Sequence, residues 1–411
     1  MKEIRINKYL LLISMILLMN LNVFYLLPDL PFKQEDLTLG IELLFTFYVY
    51  YRNRRRVTYR YKWLMLFPLL FVVTSSIMAY INYNQPIFMG IRAQRHWIGA
   101  LLMYFPLTKL FMLEKIHKEE LFKMVDYSCI ILFILCMLQS VLGFDHLFMN
   151  VLKNVRYGGI RLYICVLFYE ISYFYHLVDF LYTKKIPFYK NIFYIVITLM
   201  IFIIIYKSRM AFLVLVLGSA ITVLMMQTTR KKFIVTALGI GILIAFLSSS
   251  MGSDIINTIL NNENVLQDTS TIREAGKTFF MQGIRESLLN RVFGKGFVNI
   301  DWPQAYYNSG YASNYFIDDN GIIGLIFYYG YSFALWMFVI TFIFVKDAFE
   351  HNQKLYITYF IYSILGIYSL YPTLYYDYIA YALMLAMLNK EVLTTPVAKK
   401  IVLNISGGRS S

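Results

Sequence analysis

The chain has 411 residues, of which 59% are hydrophobic, 18% aromatic and only 15% charged, and it carries a net charge of +14. Its mean hydropathy is +0.57, whereas soluble domains run to about 45–50% apolar and about 25% charged, so composition excludes a disordered chain and argues against a soluble globular enzyme. A nucleic-acid binder is also excluded, because that footprint is a dense basic stripe on a polar domain and here the charges sit between long apolar runs.

A bilayer core of about 30 Å takes about 20 mostly apolar residues per helix. Runs of that kind predict twelve spans, at roughly 9–27, 38–51, 63–81, 97–113, 124–144, 162–182, 191–205, 210–227, 233–251, 320–345, 355–369 and 375–389. The first is not read as a signal peptide: Asn20 and Asn22 lead into Leu26-Leu27-Pro28 with no small-residue cleavage site. Cys129, Cys136 and Cys165 all lie in apolar runs, which leaves neither a disulfide framework nor a zinc motif.

Orientation follows the Lys/Arg bias of the loops. With the N-terminus in the cytoplasm, 24 of the 38 basic residues fall inside, including Arg52, Arg54, Arg55 and Arg56, and 13 fall outside. Both termini are then cytoplasmic. Net charge is +17 on the inside segments and +1 on the outside ones, so most of the basic excess records orientation.

The connection between spans nine and ten, 252–319, has 68 residues, and loops of that length are usually functional or disordered. Thr271-Ile272-Arg273-Glu274 has the form of a capping box. Ile272, Ala275, Phe279, Phe280, Ile284, Leu288 and Leu289 then recur at helical spacing, with Gly294 and Gly296 as stop signals. An amphipathic helix over about 271–292, lying on the membrane face, is expected. The expected fold class is therefore all-α. The chain divides into spans one to nine (1–251), the large outer loop (252–319), spans ten to twelve (320–389) and a cytoplasmic tail (390–411).

The outside segments carry eight arginines and five lysines, against the usual bias. Arginine offers a fixed fork of donors suited to phosphate and carboxylate. As a set they point to an anionic substrate, although any single one can be explained by an acidic neighbour or a lipid headgroup. Arg273, Lys277 and Arg291 share a face if one helix runs unbroken through Gly283. Arg209 sits in the short turn Tyr206-Lys207-Ser208-Arg209, and Arg161 follows Arg156-Tyr157-Gly158-Gly159-Ile160 at the start of span six.

Ionisable residues within spans are functional candidates, and Glu170 is the one nearest mid-membrane. It is either functional or a neutral acid bonded to a tyrosine of a neighbouring span. Tyr306, Tyr307, Tyr311 and Tyr315 cluster in the loop. The interfacial aromatic belt is the ordinary explanation; sugar stacking is the alternative. Asp318-Asp319-Asn320 closes the loop, where it could supply a general base, hold a cation or cap the next helix.

These residues resemble a known family, the bacterial O-antigen polymerase and ligase superfamily of membrane glycosyltransferases. Lys207-Ser208-Arg209-Met210-Ala211 is similar to its Ser-Arg turn. Arg273, followed by Phe293-Gly294-Lys295-Gly296-Phe297, is similar to its loop arginine and Gly-x-Gly-Phe turn. Asp319-Asn320, with Gly330 beyond it, resembles the pair that opens the following span. The ligases carry His-Asn there, and the second glycine of the usual Gly-x-x-Gly is Phe333 here.

The resemblance implies a surface-polysaccharide polymerase of the cytoplasmic membrane that acts at its outer face without cofactor or metal. Donor and acceptor would both be oligosaccharides on undecaprenyl diphosphate, and membrane lipids and a chain-length regulator protein would be partners. Arg161, Arg209, Arg273, Lys277 and Arg291 would hold the diphosphate, and Asp319 would act as base or orient the acceptor. Arg156, Glu170, Asp318 and Asn320 are secondary candidates. An O-antigen ligase, a flippase for the same lipid-linked units and a membrane acyltransferase are the competing readings.

Overall fold

The computed structural model describes residues 7–20, 34–142, 153–156, 159–162, 164, 166–206, 208–225, 248, 263–369 and 377–395. The expected ninth span, 233–251, lies outside the described residues except for residue 248.

Among the described residues the chain is helical apart from one two-stranded hairpin. In chain order come α1 (Lys8–Asn20), α2 (Gln34–Arg52), α3 (Lys62–Tyr83), α4 (Ile87–Ala93), α5 (Arg95–Met112) and α6 (Lys118–Leu142). The antiparallel strands β1 (Lys153–Arg156) and β2 (Gly159–Leu162) precede α7 (Leu167–Val178), α8 (Phe188–Met200) and α9 (Arg209–Leu224). Then follow α10 (Glu263–Arg285), α11 (Leu288–Phe293), α12 (Pro303–Asn308), α13 (Gly321–Glu350), α14 (Lys354–Ser369) and α15 (Asp377–Thr394). α7 and α8 each end in a π-helical turn, Asp179–Thr183 and Ile201–Tyr206.

Among the described residues four helical stretches are long and apolar enough to cross a membrane: Lys62–Tyr83, Lys118–Gln139, Phe188–Tyr206 and Gly321–Glu350. Lys8–Met19, Ala211–Leu224 and Lys354–Leu365 are apolar but shorter. On α13, Trp336, Ile340 and Phe344 are buried while Leu335, Phe338 and Phe342 stand exposed. A helix apolar on both sides belongs in a large core or in lipid.

Two expectations need correction. Of the span expected at 162–182, Leu162 closes strand β2 and the helix begins only at Leu167. The strands pair antiparallel from Lys153↔Leu162 to Arg156↔Gly159. The loop helix also differs: α10 begins at Glu263, so the Thr271–Glu274 box lies within it, and α10 stops at Arg285. Upstream helix formers such as Glu263, Leu266 and Gln267 extend the helix past a local cap signal. At the other end Ser287 leaves the helical region (φ −148°, ψ 161°) and its hydroxyl accepts from the Asn290 amide, starting α11 as a separate helix.

The helix ends sort into two sets. At one, Arg60 grips Asp347 with Nε and Nη2 at 2.7 and 2.8 Å, and its backbone N–H donates to Asn389 at 2.8 Å. Asn7 donates to the Lys115 carbonyl, and Lys118 pairs with Glu391, at the same end. At the other end lie the close of α3 and the start of α13. Thr222, late in α9, meets Thr358, early in α14, at 3.1 Å, and Phe344, late in α13, meets Phe360 of α14. Both pairs are therefore antiparallel, so α9 and α13 begin at the same end. Tyr182, just past α7, donates to the Thr222 carbonyl, which puts the start of α7 there as well.

A buried polar chain ties α6, α7 and α8 together near the opposite end. Asn191 Nδ2 donates to Asp179 at 2.9 Å, which turns its Oδ1 toward His176 Nδ1 at 2.7 Å. His176 Nε2 lies 3.1 Å from Asp126 Oδ2, and Ser172 donates to the other Asp126 oxygen.

Candidate functional site

The site is built on a wedge of backbone. After α11 the chain turns at Gly294 and Gly296, both with positive φ, and passes between α3 and α13. α13 breaks its helical path at Gly330 (φ 79°, ψ 176°). A side chain at Gly330 would sit 2.1 Å from the Val292 carbonyl oxygen, and one at Gly296 would sit 2.2 Å from the Ala79 amide nitrogen. Only glycine permits either approach.

Polar side chains of α3 complete the wedge. Ser75 accepts from the Phe297 amide at 2.7 Å and donates to the Tyr328 carbonyl at 3.2 Å. Gln85 donates to the Phe297 carbonyl and accepts from the Asn299 amide. Asn82 donates to the Lys295 carbonyl, and the Lys295 amide reaches the Phe327 carbonyl at 2.7 Å. The amides and carbonyls of Lys295 and Phe297 in this crossing thus all find partners.

This wedge fixes α10 against the start of α13. Phe280 and Ile284 are buried, and the Phe280 ring lies 4.8 Å from that of Phe327. One turn earlier Gly276 faces Asn320 and Tyr315, close enough that a Cβ there would stand in van der Waals contact with both. Arg273 and Lys277 flank that contact and both are exposed. A 3-10 turn, Ile317–Asn320, carries Asp318 and Asp319 into α13. The structure therefore brings the helix of Arg273 and Lys277 onto the turn of Asp318, Asp319 and Asn320.

Asn320 is buried, and its Nδ2 turns back to the Phe316 carbonyl at 2.8 Å instead of capping α13. Its Oδ1 has no partner among the described residues. Arg291 does not join this group. It lies on α11, beyond the Ser287 break, where it donates to the Arg285 carbonyl.

A second group gathers at the same end. Ser208 caps α9 by accepting from the Ala211 amide, which makes Arg209 the first helical residue. A cation at a helix N-terminus opposes the macrodipole, at a cost of about 0.3–1 kcal/mol, so helix stability does not explain an arginine there. β2, carrying Arg161, packs against the 201–206 turn that leads to Arg209. Arg156 pairs with Gly159 at the hairpin turn. For Arg156, Arg161, Arg209, Asp318 and Asp319 the description stops at the backbone.

Glu170 is separate from both groups. It is buried in α7 and hydrogen-bonded to Tyr362 of α14, the arrangement of an acid satisfied by a tyrosine of a neighbouring helix. Sequence reasoning missed the Ser75, Asn82 and Gln85 anchors. Their signal was the presence of polar side chains at the end of an apolar span. It also missed the ion pairs of Asp36 with Arg92 and Arg95, which tie α2 to the α4–α5 elbow. No protein-family model matches the chain, and a search of curated proteins gives no match either.

Proposed function

We propose that this protein is a polymerase of a bacterial surface polysaccharide, a twelve-span glycosyltransferase of the cytoplasmic membrane with both termini in the cytoplasm. The observation that carries the reading is the meeting of α10 with the Ile317–Asn320 turn. That contact brings the helix that carries Arg273 and Lys277 onto the turn that carries Asp318, Asp319 and Asn320, at the bundle end away from Arg60, Lys118 and Lys354. The family resemblance of the Ser-Arg turn, the loop arginine and the Gly-x-Gly-Phe turn supports it.

In this reading the donor is an oligosaccharide on undecaprenyl diphosphate. A sugar hydroxyl of a second lipid-linked unit attacks the donor's anomeric carbon. The new glycosidic C–O bond forms as the bond from that carbon to the diphosphate oxygen breaks, and the electron pair leaves with the diphosphate. Arg209, Arg273 and Arg161 stabilise the charge that develops there, with Lys277 in support. Asp319 accepts the hydroxyl proton as the bond forms. A carboxylate with an ordinary pKa of about 3.9 is too weak to remove it beforehand and assists in the transition state.

Arg273→Ala and Asp319→Ala should leave the protein inserted at normal level while long glycan chains disappear, read on a gel of surface polysaccharide. Normal chain length from either variant would overturn the site. The ligase and flippase readings give other phenotypes. A ligase defect leaves long chains on the carrier lipid, and a flippase defect holds single units on the cytoplasmic side.

A further inference from the structure

The outer loop is chemically divided. From Glu263 to Lys295 it carries five basic and four acidic residues; from Gly296 to Phe316 it carries one charge, Asp301, together with four side-chain amides and seven aromatic rings. The first part suits a phosphorylated group. The second has the composition of a surface for an uncharged polyhydroxyl ligand: ring faces to cover C–H faces, and amides that both donate to and accept from hydroxyls.

The structure adds placement. Tyr315 packs on Phe279 of α10, with ring centroids 5.6 Å apart, and Gly310 faces the same ring. This neutral half is thereby pinned beside Gly276 and Asn320. α12 stands on its buried Ala305 and turns Tyr306 and Tyr307 outward, 39% and 69% exposed. Their rings meet edge to face at 5.4 Å. Gln304, Tyr307 and Asn308 stand at i, i+3 and i+4, on one side of this short helix, and all are exposed. Amides stand beside these tyrosines on the exposed side of α12.

We infer that Gln304, Tyr306, Tyr307 and Asn308 form a glycan subsite that binds the sugar portion of a lipid-linked unit, adjoining the charged face of α10 that takes its diphosphate. The inference rests on the glycan-transfer reading above. Two tyrosine rings stacked on sugars are together worth about tenfold in affinity.

The test uses the full-length protein in detergent and, as probe, the oligosaccharide released by mild acid from the lipid-linked units of the organism that makes this chain. Binding is followed by saturation-transfer NMR. Wild type should bind, Tyr306→Ala/Tyr307→Ala should bind about tenfold more weakly, and Tyr306→Phe/Tyr307→Phe should bind nearly as well as wild type. Arg273→Ala should also bind normally, because the probe carries no diphosphate. Unchanged binding by the double alanine variant overturns the subsite. If wild type extends lipid-linked units and the double alanine variant does so with the same KM, the subsite fails and glycan transfer stands. If wild type neither extends units nor binds the oligosaccharide, glycan transfer fails and the subsite falls with it.

Discussion

Gly330 shows how much one residue carries here. Its positive φ and its approach to the Val292 carbonyl let α13 break where the Gly294–Phe297 turn passes. A methyl group would add backbone strain to a steric overlap, together roughly 3 kcal/mol. Gly330→Ala should lower the melting temperature of the purified protein and loosen the hold of α13 on α10, so glycan polymerisation should fall with stability. A variant as stable as wild type would show that the break is not fixed by this contact. Gly330 was visible in the sequence only through a family resemblance, because a glycine inside a long apolar run carries no periodic signal. The partners that give it meaning, Val292 and Ser332, are joined by the Ser332 hydroxyl donating to the Val292 carbonyl, and Val292 lies 40 residues earlier.

At the scale of elements, hydrophobic periodicity found most of what it could. Long apolar runs became α3, α6 and α13, and the glycine stop after α11 fell at Gly294. Boundaries set by short polar signals fared worse. The capping box at Thr271 lies inside α10, while the cap that matters, Ser287, has no glutamate partner three residues on and so drew no notice. The β1–β2 hairpin was passed over because its strands are four residues each, too short to show alternation beside an apolar span. The contact of α10 with the 317–320 turn brings Gly276 to face Asn320. No local pattern encodes that, since it requires the whole wedge at Ser75, Gln85 and Phe297 to be in place.

Across the whole molecule, the two ends of the bundle differ in character. One gathers Arg60, Lys118, Lys354 and the carboxylates Asp347 and Glu391. The other gathers the start of α9, the hairpin, α10 and the aromatic-amide segment before α13. If the first end faces the cytoplasm, an impermeant maleimide should label Gln304→Cys in intact cells. Lys185→Cys should label only after permeabilisation, both in a background lacking the native cysteines. Labelling in the reverse order would invert the topology and remove the candidate site from the outer face.

The central claim is that the protein joins lipid-linked units to one another, and purified protein incubated with those units alone tests it most directly. A ladder of glycans rising by whole repeat units, absent with Asp319→Ala, is the expected result. No product from wild type under those conditions, with transfer appearing only when a different acceptor is supplied, would contradict polymerisation.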